Sequence, residues 1–285
     1  LQKSSHLTFL DIDPSTGGIS PKTWDSFSSS LRTLFIPVHF SGIAHEYSPK
    51  ENTLIIEDGA QAFGSRYLNG ERVGSCCYSD MTMFSFHPAK TICMGEGGAI
   101  TTKDPDLYQR LLQIRNNGIV RHQLDNSVHE LTGNFHITGF QAALGLSQLK
   151  KIETFTAKRE ALAKRYHHNL KGVLGITLLD PIYLSYSAHN LFVVQINFEK
   201  SPLSRDEVIK ELRQQGIGTQ IHFKPLYRHP YFEKNHPVKQ EDFPGMERFY
   251  EQALTLPLYY DLKEEEVDHI CKSLVNLIGQ EALSY

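Results

Sequence analysis

Short continuous apolar runs, alternating with helical patterns, constrain this chain more than any other feature of its sequence. Leu34-Phe35-Ile36-Pro37-Val38 and Thr53-Leu54-Ile55-Ile56 are rich in aromatic and β-branched residues. Such runs suit strands of a parallel sheet that is buried on both faces. Met81 to Phe86 alternates Thr and Ser with apolar residues, as a further strand would. Between the runs lie helix signals. Ser20-Pro21 reads as an N-cap followed by proline at the first helical position. Asp104-Pro105 starts a second helix, with Leu107, Leu111 and Ile114 along it and Gly118 as its C-terminal cap. Strands alternating with helices predict an α/β sheet that binds its ligand at the carboxyl ends of the strands.

The rest of the chain reads differently. Thr138 and Gln141 fit a capping box, with Ala142, Leu146, Leu149 and Ile152 following at helical spacing. Lys158 to Leu170 is helical and strongly charged on one face. The last third reads as a smaller α+β unit. Leu191 to Phe198 is strand-like, and Ser204 to Glu207 forms another capping box before a helix that Gly216 ends. Thr219 to Phe223 alternates as a strand, and Val267, Ile270, Leu274 and Leu277 give one apolar stripe on a final helix. With 285 residues the chain fits roughly two domains. We expect a large domain over residues 1–155, and a linking helix with a small C-terminal domain over 156–285.

Composition removes several classes of function. The net charge is −3, without the basic footprint of a nucleic-acid or anionic-membrane binder. No apolar run reaches the roughly 18 residues of a membrane-spanning helix, and no signal-peptide pattern opens the chain. The four cysteines, Cys76, Cys77, Cys93 and Cys271, suit neither a disulfide framework nor a zinc site, so we expect a reduced cytoplasmic protein without a metal. The chain opens on Leu1, and its methionines are Met81, Met83, Met94 and Met246. An N-terminal piece is therefore expected ahead of residue 1.

Four local features could carry chemistry. In Ile55 to Gly64 an apolar strand ends in Asp58, at the ligand-binding end of a parallel sheet. That carboxylate could pair with a cation, or cap the turn that follows. In Phe84 to Thr91, Lys90 lies among small and apolar residues, with Ser85 and Thr91 as hydroxyls that could donate to a phosphate. Burial lowers a lysine's pKa and makes its amine nucleophilic, as a Schiff base requires, although most lysines are exposed. Asn134, in Gly133-Asn134-Phe135-His136, could reach a ligand or a neighbouring subunit, or serve as a turn residue. Gly218 to Tyr227 gathers polar and aromatic groups at a strand end. Asp58 and Lys90 together say more than either alone. A carboxylate for a pyridinium nitrogen and a Schiff-base lysine are the pair a pyridoxal phosphate enzyme needs.

In this order the motifs resemble the DegT/DnrJ family of sugar aminotransferases, pyridoxal-phosphate enzymes of fold type I. The resemblance runs through Thr8-Phe9-Leu10-Asp11-Ile12-Asp13, Pro37-Val38-His39, Glu57-Asp58-Gly59-Ala60-Gln61-Ala62 and Ser85-Phe86-His87-Pro88-Ala89-Lys90. It continues through Gly95-Glu96-Gly97-Gly98-Ala99, Gln141 to Leu146 and Gln220-Ile221-His222-Phe223, and so covers nearly the whole chain. Within the family the chain is most similar to transaminases that make the 4-amino-sugar precursor of pseudaminic acid, on Ala143 to Lys151 and the Gln-Ile-His-Phe-Lys-Pro-Leu-Tyr run.

The resemblance implies a mostly parallel-sheet large domain, N-terminally incomplete by about 100 residues, and a small C-terminal α/β domain. It implies pyridoxal 5'-phosphate held on Lys90, Asp58 on the pyridine nitrogen, Gln61 near the ring and Ser85 on the phosphate. Asn134 would reach the other subunit's site in a homodimer, and Gln220, Ile221, His222 and Phe223 would contact the substrate. The substrate would be a nucleotide-linked keto-sugar, a UDP-4-keto-6-deoxy-N-acetylhexosamine, with glutamate as amino donor. The chain departs from the family in several places: His136 stands at a usual arginine, Arg115-Asn116-Asn117-Gly118 lacks a usual histidine, the stretch from Gly42 to Glu57 is short, and the family's N-terminal residues are missing ahead of Leu1. They leave a second reading, a non-catalytic remnant that binds or dimerises. A sugar dehydratase of this family would carry histidine in place of Lys90.

Overall fold

A computed structural model describes residues 6–121 and 126–279; Leu1 lies outside them. A short hairpin, β1 (Ile12–Asp13) and β2 (Gly18–Ile19), precedes helix α1 (Pro21–Ser26). Ser20 caps α1 by accepting the Thr23 N–H, and proline follows it, as the sequence signal predicts. The four-stranded sheet comprises β3 (Thr33–Phe35), β4 (Thr53–Asp58), β5 (Met81–Ser85) and β6 (Gly98–Thr101), in that spatial order. β3, β4 and β5 are parallel, with Phe35 beside Ile55 and Asp58 beside Met83. β6, which no sequence signal marked, runs antiparallel to β5.

Burial of this sheet is uneven, which corrects the expectation of strands covered on both faces. Ile55 and Glu57 of β4 are buried, whereas Leu34 of β3, Ile36 just after it and Ile100 of β6 stay about half exposed. Among the described residues no further strand pairs with the outer edge of β3 or β6. Trp24, Phe35, Tyr47 and Ile55 fill the covered side, with the Trp24 and Phe35 rings stacked 3.9 Å apart.

Helix α2 (Pro105–Arg115) follows, capped by Asp104, which accepts the N–H groups of Asp106 and Leu107. A ribbon of β7 (Ile119–Arg121) and β8 (Asn126–Val128) leads to α3 (Gly139–Leu149), whose Thr138–Gln141 capping box forms as predicted. No residue of α3 is buried; the Leu146 and Leu149 stripe faces outward.

Helix α4 (Ile152–Leu170) enters the C-terminal unit. There β9 (Ile176–Leu178), β10 (Phe192–Ile196) and β11 (Ala253–Leu256) form an antiparallel sheet with β10 at the centre. Helices α5 (Arg205–Gln214) and α8 (Glu264–Leu277) pack with α4 on one face. Leu162, Tyr166 and Leu170 of α4, Leu212 of α5, and Val267, Ile270 and Leu274 of α8 meet Phe192, Val194, Ile196 and Leu254 there. The stripe read on the final helix is thus the inner face of α8. The other face of β10 presents Val193 to Phe40 and to Phe249 of α7 (Pro244–Gln252), which follows the short α6 (Pro230–Asn235).

The Thr219–Phe223 segment is not the strand its alternation suggests. Gln220 pairs with Thr255 through two backbone hydrogen bonds, N–H to O at 3.2 and 2.8 Å, and no ladder continues from them. Asp11 explains the N-terminal Asp-Ile-Asp motif. Its carboxylate accepts the Gly245 and Met246 N–H groups, each at 2.8 Å, and so caps α7. Among the described residues no helix is long and apolar enough to cross a membrane, and no group of His, Cys, Asp or Glu is placed to hold a metal.

Candidate active site

Asp58 is the last residue of β4, where the parallel sheet opens. Its backbone is held from both sides. The Asp58 N–H donates to the Pro37 carbonyl at 2.8 Å, the His39 N–H donates to the Asp58 carbonyl at 3.0 Å, and the Gly59 N–H reaches the Met83 carbonyl at 2.8 Å. The carboxylate is partly exposed, and its Oδ1 accepts the Ala60 N–H at 3.0 Å. Asp58 therefore does both things the sequence allowed. It braces the turn after the strand and presents a carboxylate to the open end.

Lys90 follows β5 in a turn closed by its own N–H on the His87 carbonyl at 2.9 Å. Its amine is half-buried. Desolvation pushes its pKa down, and the Asp58 charge pulls the other way. His222 joins the same cluster. Its Nδ1 lies 2.8 Å from the Thr255 hydroxyl, and burial followed by the Lys90 charge lowers its pKa. The fold thus brings Lys90 within electrostatic reach of both Asp58 and His222.

Gln61 stands three residues beyond Asp58 and is buried. The Ser41 N–H donates to its Oε1 at 2.6 Å. Only the carbonyl oxygen of the amide can accept that bond, so its Nε2 donors point elsewhere. Ser85 ends β5, the strand beside Asp58, and its half-buried hydroxyl accepts a long 3.4 Å bond from the His87 N–H. Thr91, the second hydroxyl of this segment, is buried.

Three of the expected substrate residues sit differently from His222. Gln220 is exposed, Ile221 is half-buried, and the half-exposed Phe223 ring meets Phe40 edge-on at 6.5 Å. Asn134 is not part of the cluster. It is exposed, and its Oδ1 accepts the His136 N–H at 3.1 Å in a local turn. Helix α3 is nonetheless tied to the lysine segment, because Gln141 Nε2 donates to the Glu96 carbonyl at 2.8 Å.

Sequence reading assigned no role to the residues behind Asp58. Glu57 is wholly buried and accepts the hydroxyls of Tyr67 at 2.5 Å, Thr82 at 2.5 Å and Ser79 at 2.9 Å. His39 Nε2 is 3.4 Å away. One signal could have found Glu57: a carboxylate directly after the Leu54-Ile55-Ile56 run and one residue before Asp58, hence on the opposite face of the strand.

These groups suit pyridoxal phosphate. A carboxylate at the strand end can hold a protonated pyridine nitrogen, and a buried amide and a hydroxyl can donate to the ring oxygen and the phosphate. A lysine of lowered pKa supplies a more readily neutral amine.

The DegT/DnrJ/EryC1/StrS aminotransferase family model matches residues 2–275. The chain belongs to this family. Among curated relatives, the spore coat polysaccharide biosynthesis protein SpsC of Bacillus subtilis is 30% identical over 288 residues, 95% of this chain and 73% of SpsC. Protein MJ1066 of Methanocaldococcus jannaschii is 30% identical over 293 residues, 95% of this chain and 74% of that protein. Helicobacter pylori PseC, an aminotransferase involved in the biosynthesis of pseudoaminic acid, superposes with a TM-score of 0.86 at 26% identity. The match covers 95% of this chain and 73% of PseC. Spr1654 of Streptococcus pneumoniae, solved in a PMP-form, gives a TM-score of 0.82 at 26% identity, over 94% of this chain and 73% of its own. Its PLP-form gives 0.81. As a DegT-family member with these neighbours, the protein is a pyridoxal-phosphate-dependent sugar aminotransferase of α/β fold.

Proposed function

We propose that this aminotransferase acts on a nucleotide-linked keto-sugar, a UDP-4-keto-6-deoxy-N-acetylhexosamine, with glutamate as the amino donor. The convergence of Lys90, Asp58 and His222 at the open end of the sheet carries the reading. The likeness to PseC supports the sugar class.

Pyridoxal phosphate, when bound, supplies the electron sink that stabilises a carbanion at the reacting carbon. The chain's own residues do the rest. Asp58 binds the ring nitrogen and keeps it protonated. Gln61, its Oε1 already taken by Ser41, offers Nε2 donors to the ring oxygen. Ser85 donates to the phosphate. Lys90 Nζ, biased toward the neutral amine by desolvation, takes and returns the proton at the substrate carbon. Gln220 to Phe223 line the sugar-nucleotide side, with His222 oriented by Thr255.

The reading includes a homodimer in which Asn134, exposed on its own subunit, reaches the phosphate of the other. It also includes a division near residue 155, inside α4, whose Glu153 pairs with Arg72 at 2.6 Å and whose later turns join the C-terminal core. Free cysteines at 76, 77, 93 and 271 accord with a reducing cytoplasm.

Lys90→Ala tests the site. We expect turnover of a nucleotide-linked 4-keto-sugar to disappear. Borohydride reduction of the wild-type protein with pyridoxal phosphate should mark the Lys90 peptide in a mass spectrum. Undiminished turnover in Lys90→Ala, or label on another lysine, refutes the assignment.

A further inference from the structure

The ionised group that the chemistry leaves unused is Glu57. It sits on the face of β4 opposite Asp58, fully buried, and ties together five pieces of chain. Those pieces are β4 itself, Thr82 of β5, Ser79 in the approach to β5, Tyr67, and the loop bearing His39. Burial alone would raise its pKa, but His39 and the Thr82 and Tyr67 hydroxyls outweigh that and hold it below the usual carboxylate value. Such a site is costly for what it adds to stability, since apolar residues of similar volume serve a core as well or better. Its distinctive product is fixed geometry.

That geometry leads to the cofactor-facing groups along two short paths. His39, whose ring lies against Glu57, donates its backbone N–H to the Asp58 carbonyl at 3.0 Å. Two residues on, Ser41 donates its N–H to Gln61 Oε1 at 2.6 Å. Ser41 holds φ at +59° and Gly42 at +93°. A left-handed serine persists where its surroundings over-determine it. Here the Ser41 hydroxyl donates to the Leu191 carbonyl at 2.8 Å, and the Ser187 hydroxyl donates to the Ser41 carbonyl at 3.2 Å. A Cβ on Gly42 would come within 2.7 Å of the Ser187 hydroxyl oxygen. The turn is pinned by the C-terminal unit at one end and by Glu57 through His39 at the other.

We infer that Glu57 is a positioning residue, whose carboxylate holds the His39–Gly42 turn and through it sets Asp58 and Gln61 for the cofactor. This rests on the assignment of Asp58 and Gln61 above.

The experiment compares wild type with Glu57→Gln, which keeps the shape and removes the charge. The readouts are pyridoxal phosphate titrated by absorbance, kcat and KM at saturating cofactor, and the melting temperature. We expect weaker cofactor binding and a kcat lower by about ten- to a hundredfold, the scale on which small displacements act. KM for both substrates should stay within about twofold, because no substrate contact is removed. A Glu57→Gln protein with a lower melting temperature but wild-type cofactor affinity and kcat overturns the inference.

Should Glu57→Gln fail to fold, Tyr67→Phe removes a single donor instead, and is combined with Gln61→Ala. Non-additive losses of cofactor affinity support the path through Gln61, and additive ones overturn it. Lys90→Ala, run alongside, separates the two ideas. If it abolishes turnover while the Glu57 and Tyr67 variants change nothing at the cofactor, only the positioning role falls. If Lys90→Ala transaminates normally, the site assignment falls first.

Discussion

The C-terminal unit and the sheet that carries the site are built on opposite principles. Around β10, apolar side chains from α4, α5 and α8 close over one face, and Phe249 of α7 and Phe40 cover the other. Every residue of β10 is buried. The four-stranded sheet has two small apolar clusters and outward-facing Leu34, Ile36 and Ile100. Its order at the site end comes from hydrogen bonds instead, centred on Glu57 and the His39–Gly42 turn. Non-directional packing makes a stable support. Directional bonds to a buried charge hold a few groups in one place.

The largest expected difference tests the support. Leu212→Ala or Leu254→Ala empties a fully buried site and should cost about 2–5 kcal/mol in urea unfolding, whereas Leu146→Ala on α3 should stay within about 0.5 kcal/mol. Equal costs at the two places would break the contrast.

Acid should come next. His45, beside the site-bearing sheet, and His189, on the approach to β10, are both pushed down to about 4, chiefly by burial. Their unfolded pKa is near 6.5, so the unfolded chain binds more protons between these values. Stability should therefore be complete above about pH 6.5 and fall as pH drops toward 4, by on the order of 3 kcal/mol for each histidine. His189 lies at φ +47°, which asparagine tolerates. His189→Asn should flatten the pH dependence of unfolding, and an unchanged slope would show that His189 is not the group being charged.

The smallest effect is expected at the surface joint between the regions. Arg72 and Glu153 pair at 2.6 Å while largely exposed. Arg72→Ala should change the unfolding free energy by no more than about 0.5 kcal/mol, less at high salt. A larger loss would mean that the joint, and not the C-terminal core, limits stability.

Much of this was legible beforehand where the signal is local. Ser20, Asp104, Thr138 and Ser204 cap the helices that their neighbours announce, because a cap needs only the next three residues. Asp58 and Lys90 were legible because each closes or follows a strand that the apolar runs mark. Alternation misled at Thr219–Phe223, where sidedness exists but only one backbone pair forms. The continuous apolar run at β3 misled in another way, since such a run says that cover is favourable and not that cover is present.

The sequence by itself determined several helices with their caps, the apolar strands beside the site, the family and the lysine–carboxylate pair, all of which reside in near neighbours and their spacing. Only the tertiary structure decided that His222 meets Lys90, that Ser41 turns the Gln61 amide, and that Glu57 is enclosed by His39, Tyr67, Ser79 and Thr82. The reason is physical. Burial, charge coupling and hydrogen-bond direction depend on distance in space, and these groups come from separate segments that only the folded chain places side by side.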